Sequence, residues 1–164
     1  MTIRPYIHEN DFQLLSRWVE DERTHALWCA GLMPYPLTEE GLLSKLQSEA
    51  EEIGGRAYAA EEDGIARGFF CYSYNPENRL GFFKFVVTDN ELRGKGYGSR
   101  MLGSAIKLVF SENQAAGIQL NVFDVNQTAI NCYKALGFAA DALTENAFSF
   151  RDELWGKYHM LLKK

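Results

Sequence analysis

Arg93, Gly94, Lys95, Gly96, Tyr97, Gly98 and Ser99 stand in a row, with three glycines in five residues and two cations among them. Glycine reaches backbone conformations closed to other residues and lets a ligand come close to the main chain. Such a stretch suits phosphate, because a helix starting there leaves its first N–H groups unpaired and carries the positive end of its dipole. Arg100 adds a further cation in a chain whose formal net charge is −5. Two well-known phosphate loops do not fit. A nucleotide P-loop needs Gly-Lys followed by Ser or Thr, and Lys95 is followed by Gly96. The dinucleotide fingerprint matches poorly, with Ser99 three residues beyond Gly96. A plain strand-to-helix turn is the structural alternative. A second pair with chemical potential lies downstream, where Asn126 precedes Tyr133 by seven residues and Gly137-Phe138 follows. From the residues alone, Asn126 can cap a helix and Tyr133 can pack on it.

These residues need elements to position them. Leu80 to Thr88 reads as a strand leading into the glycine loop, and a helix of about Ser99 to Gln114 follows with Leu102, Ala105, Ile106 and Val109 on one face. Ile118 to Val125 is the next strand, and a short helix carrying Ala129, Ile130, Tyr133 and Leu136 ends at Gly137. Upstream, Ile3 to Ile7 alternates as a first strand, and Asn10 or Asp11 opens a helix with Phe12, Leu15 and Trp18 on its apolar face. His25 to Pro36 is an aromatic loop made irregular by two prolines, whose Trp28 and Tyr35 could sit in the core or wall a substrate pocket. Thr38 caps a helix reaching Glu52 and stopped by Gly54-Gly55. Arg56 to Glu61 and Ile65 to Tyr74 form a hairpin about Glu62-Asp63-Gly64, while Phe138 to Leu143 and Leu154 to Leu162 form a last hairpin with a long connection. Strands with helices inserted after the first, fourth and fifth give an α/β (α+β) mixed sheet covered on both faces.

At 164 residues the chain is one domain by size. Nothing resembles a signal peptide, and the apolar runs are too short to cross a bilayer, so a cytoplasmic protein without a membrane partner is expected. The acidic balance argues against nucleic-acid binding. Cys29, Cys71 and Cys132 suit neither a disulfide framework nor a zinc site and read as reduced, buried residues. His8, His25 and His159 lack metal-binding spacing, and His25 reads as a surface residue. The acidic runs at Glu49-Ala50-Glu51-Glu52 and Glu61-Glu62-Asp63, and the single acids Asp89 and Glu91, read as solvated charge.

The pattern Arg-x-x-Gly-x-Gly at Arg93, Gly96 and Gly98 resembles the pyrophosphate-binding motif of the GNAT superfamily of N-acetyltransferases. The segment from Asn121 to Phe138 is similar to the part of that family that pairs a strand-end asparagine with a tyrosine and Gly-Phe. The resemblance implies a single GNAT domain over residues 1–164, with a mostly antiparallel mixed sheet of about seven strands whose fourth and fifth strands splay apart. It implies acetyl-CoA as co-substrate, held through Val86, Val87 and Thr88 of the fourth strand, through Arg93, Gly94, Lys95, Gly96, Tyr97, Gly98 and Ser99 of the loop, and through Asn126. No metal is implied. Tyr133 becomes the acid that protonates the leaving sulfur. The general base stays unassigned, because Asn121 and Lys84 occupy positions where some members carry an acid, and ordered water can serve instead. The acceptor is expected to be a small cationic amine, with Trp28 and Tyr35 near it. A peptide N-terminus is the alternative acceptor, a non-catalytic CoA-binding sensor the alternative function, and a monomer or homodimer the expected state.

Overall fold

Leu80–Thr88 alternates half-buried and buried residues along its length and lies at the centre of a seven-stranded sheet. The computed structural model describes residues 1–112 and 114–164. In chain order the elements are β1 (Thr2–Pro5), α1 (His8–Trp18), α2 (Glu22–Cys29), α3 (Glu39–Ile53), β2 (Arg56–Glu62), β3 (Ile65–Asn75), β4 (Leu80–Thr88), α4 (Tyr97–Glu112), β5 (Gly117–Phe123), α5 (Gln127–Ala135), β6 (Ala139–Phe150) and β7 (Glu153–Lys163). A 3₁₀ turn, Asn90–Leu92, separates β4 from the glycine loop. The strand order is β1-β2-β3-β4-β5-β7-β6, antiparallel throughout except for the parallel β4–β5 pair.

Two apolar layers cover the sheet. On one face α4 and α5 set Met101, Leu102, Ala105, Ile130 and Tyr133 against Phe70, Phe83, Ile118 and Leu120. On the other, α1, α2 and α3 set Leu15, Trp28 and Leu42 against Phe69, Phe85 and Val87. Phe83 and Phe85 therefore lie on opposite faces, although residues two apart on a regular strand share one. The cause is a bulge. Lys84 pairs with Cys71 and Val87 with Phe69, so β4 holds one residue more than β3 across that interval, and Phe85 has a φ of 52°. Parallel pairing with β5 ends immediately before it, at Phe83 and Leu120. Beyond that point the two strands diverge.

Several expectations shift. α1 starts at His8, three residues before Asp11, because the Asp11 carboxylate reaches back to the Ile7 N–H at 2.9 Å and also holds Arg4 at 2.7 Å. The start of the expected aromatic loop, His25 to Cys29, belongs to α2, which is capped by Asp21 and ended by Ala30 in the left-handed region. The last hairpin has no long connection: β6 runs on to Phe150 and turns through Arg151 at a φ of 53°. α4 begins at Tyr97, and the expected passage of that helix across Asn113 lies outside the described residues.

Glu49 is buried rather than solvated, bonding Lys45 at 2.7 Å and Lys84 of β4 at 2.8 Å. Burial alone would raise its pKa, but the hydrogen bonds and charges of Lys45 and Lys84 prevail and hold it below 4.5. A depressed folded-state pKa contributes stability above the unfolded value that is lost as pH falls through the folded one. Glu49→Gln is thus expected to cost about 2 kcal/mol at pH 7. In urea unfolding the gap to the native chain should narrow by pH 3; a constant gap would show that the Glu49 charge is not what counts.

Candidate active site

The glycine loop and the start of α4 concentrate unpaired main-chain donors. The first amide of this region bonded into the helix is Arg100, whose N–H reaches the Gly96 carbonyl at 3.1 Å. The N–H groups of Tyr97, Gly98 and Ser99 precede it and have no main-chain partner among the described residues. Gly94 and Gly96 sit at φ values of 72° and 75°, and a Cβ built on either would meet no atom within 4 Å. The loop is strained for any other residue and open on its outer side. Arg93 is anchored, its guanidinium donating to the Trp18 carbonyl at 2.7 Å; burial lowers its pKa, yet it remains a cation at neutral pH. Asp89 is buried rather than solvated, since it caps the 3₁₀ turn and binds Arg67 at 2.8 Å, fixing the loop to β3.

The end of β4 supplies a second set of donors. The Asp89 N–H bonds the Arg67 carbonyl across to β3, so by the two-residue alternation of a strand the main-chain groups of Val86 and Thr88 turn toward the β5 side. There, past Phe83, β5 no longer pairs with them. Asn126 caps α5 by accepting the Ala129 N–H at 3.2 Å, and Tyr133 lies two turns on. Burial raises the Tyr133 phenol, which keeps it protonated well beyond neutral pH. The Cys132 thiol lies 3.2 Å from the Ser99 hydroxyl and joins α5 to the start of α4.

All of these face one cleft of about 570 Å³. It brings together Val86, Val87, Thr88, Arg93, Gly94, Gly96, Tyr97, Gly98, Ser99, Asn126, Tyr133 and Trp28. Lys95 and Tyr35 are not in its wall; the Tyr35 hydroxyl instead bonds the Glu20 carbonyl at 2.9 Å. His25 is buried against Trp28 and Tyr35, not on the surface, and burial lowers its pKa. Lys84 points to Glu49 beneath α3, and Asn121 is exposed beside β7. Thr24 and Leu27 were missed as wall residues because α2 was not foreseen. Ala129 could have been found, standing four residues before Tyr133 on a short helix, and Cys132 follows as the residue three beyond Ala129. Among the described residues no cluster of His, Cys, Asp and Glu could hold a metal, and no helix is long and apolar enough to cross a membrane.

The sequence model of the acetyltransferase (GNAT) family matches residues 14–138, which include the loop, β4, β5 and α5. The chain belongs to the GNAT acetyltransferase family. The chain is 33% identical over 98 residues to streptothricin acetyltransferase of Streptomyces lavendulae, an alignment covering 56% of this chain and 49% of that protein. The chain thus spans about half the length of that curated relative. Its fold matches spermidine N-acetyltransferase from Vibrio cholerae in complex with CoA and spermine, with a TM-score of 0.82 at 16% identity over 99% of this chain and 94% of that one. Ribosomal-protein-alanine N-acetyltransferase from Brucella melitensis matches with a TM-score of 0.77 at 18% identity over 100% of both chains. At such identities these structures establish the fold.

The cap on α5 predicts its own cost. Asn126→Ala should destabilise the fold by about 1 kcal/mol in denaturant unfolding, and Asn126→Asp should restore most of that. Equal losses in both variants would mean that the amide matters for something other than capping.

Proposed function

We propose that residues 1–164 form one acetyl-CoA-dependent N-acetyltransferase domain that passes an acetyl group directly to a primary amine within a ternary complex. The observation that carries this reading is the single cleft joining the open loop, the unpaired end of β4 and the buried Tyr133. The residues fit the co-substrate. The N–H groups of Tyr97, Gly98 and Ser99, the α4 dipole and Arg93 suit a pyrophosphate, and the Val86 and Thr88 main chain can pair with the amides of a pantetheine arm as a neighbouring strand would. Acetyl-CoA, when bound, supplies an acetyl group activated as a thioester.

The side chains have defined tasks. Tyr133 gives its proton to the departing sulfur as the carbon–sulfur bond breaks and the amine nitrogen bonds the acyl carbon. The acceptor must lose protons too, since a free alkyl ammonium has a pKa of about 10.4. No carboxylate lines the cleft among the described residues, so deprotonation passes through water to bulk solvent. The walls nearest α2 are Thr24, Leu27 and Trp28, a surface suited to a small amine that arrives as a cation and is neutralised on entry.

Release of CoA thiol from acetyl-CoA, measured across spermidine, streptothricin, amino sugars, amino acids and short peptides, tests the activity and ranks acceptors. The first two are chosen because similar proteins are named for them. Amine-dependent release is expected. CoA binding without release for any acceptor would favour a CoA-binding sensor. Tyr133→Phe should lower kcat by roughly 100-fold while CoA affinity stays within about twofold. A variant with full turnover would remove Tyr133 from the reaction.

A further inference from the structure

The bulge in β4 is held from outside the sheet. Phe85 takes a φ of 52°, a conformation costing an ordinary residue about 1–3 kcal/mol, and its carbonyl receives the indole Nε1–H of Trp28 at 2.8 Å. That hydrogen bond is buried and spans 57 residues of sequence. Trp28 is itself packed edge-on against Phe69 and tilted against Phe85, with His25 at its other edge, so its ring has little freedom. It is 8% exposed, and the part left uncovered faces the cleft.

Peptide planarity turns this anchor into an aiming device. The Phe85 carbonyl and the Val86 N–H belong to one planar trans peptide and point in opposite directions. The carbonyl is tied to α2, so the N–H is held pointing away from α2, on a stretch of β4 that β5 no longer pairs. A donor held in advance at that place is what a carbonyl gaining negative charge requires. Without the indole N–H, the left-handed Phe85 would lose the contact that offsets its strain, and the peptide could rotate.

We infer that Trp28 is a positioning residue for acyl transfer: its indole N–H locks the Phe85–Val86 peptide so that the Val86 N–H points at the acyl carbonyl. The inference rests on the acetyltransferase reading above and assigns Trp28 a task apart from walling the acceptor. Trp28→Phe keeps an aromatic ring and removes the donor. Replacement of Trp28 by β-(3-benzothienyl)alanine keeps the bicyclic shape and puts sulfur where the N–H was, which guards against a packing defect in the smaller variant.

Both replacements should lower kcat by roughly tenfold, less than outright loss of an oxyanion donor, with CoA affinity within about twofold, and in the benzothienyl variant, which keeps the wall's shape, acceptor KM within about twofold as well. A ketone analogue of acetyl-CoA that carries the carbonyl but cannot transfer it gives a readout free of turnover. In the native chain the Val86 amide NMR signal should shift further with this analogue than with CoA, and in both variants that difference should vanish. An unchanged kcat, a Val86 response that survives loss of the indole N–H, or a parallel loss of CoA affinity would overturn the inference. Failure of the native chain to transfer acetyl groups would instead count against the acetyltransferase reading, and the Val86 signal would still decide the aiming role.

Discussion

Parallel pairing between β4 and β5 stops at Phe83 and Leu120, and the main-chain groups beyond that point must be satisfied by something other than the sheet. The bulge at Phe85 is why the strands cannot close again, because it turns β4 by one residue and sends Phe85 to the opposite core from Phe83. The unpaired end of β4 opens toward the unpaired amides of α4. Two incomplete hydrogen-bond systems thus share one cleft, and a long ligand with amides at one end and phosphates at the other would complete both. On the proposed reading an anion would be held there despite the chain's net negative charge, because the donors are main-chain groups and a helix dipole, with the anchored guanidinium of Arg93 beside them.

The far face of the sheet keeps this opening from collapsing. Glu49 ties α3 to β4 through Lys84, one residue before the bulge. Arg67 and Asp89 pin the end of β4 where it enters the loop. α2 is fixed from two directions: Trp28 bonds the bulge, while Arg23 with Glu153 and Glu22 with Arg151 join the helix to the tip of the β6–β7 hairpin. These last pairs are exposed and contribute little energy singly. Arg23 also lies over the Trp155 ring at 5.0 Å, in the aromatic cluster of Phe123, Phe150 and Trp155 beneath Leu27. The cleft wall that α2 provides is therefore buttressed by core packing.

Glycines at positive φ and an apolar run ending at a loop are local properties, so the sequence placed the glycine loop and the span of β4 correctly. The Asp63-Gly64 turn and the Thr38 and Gly54 caps of α3 were readable for the same reason. What escaped depends on distant partners. α2 is short and rich in His, Trp and Cys, which are indifferent helix formers, and its stability comes from packing on Phe69 and Phe85. β6 turns at Arg151 without a glycine or proline to mark the place. Glu49 hides in an acidic run, although it continues the stripe of Leu42 and Leu46 at helical spacing; only Lys84 on another strand explains its burial. The bulge itself leaves no mark in the composition of Lys84-Phe85-Val86.

Titration calorimetry of the full chain with CoA and, separately, with pantetheine tests the central claim most directly, because pantetheine has the arm but lacks the pyrophosphate. Several charge-assisted bonds from the loop and α4 should make CoA bind at least about 100-fold more tightly, a difference of roughly 2.7 kcal/mol that shrinks as salt is raised. Equal affinities, or no binding of CoA at all, would contradict the assignment of the glycine loop as a pyrophosphate site.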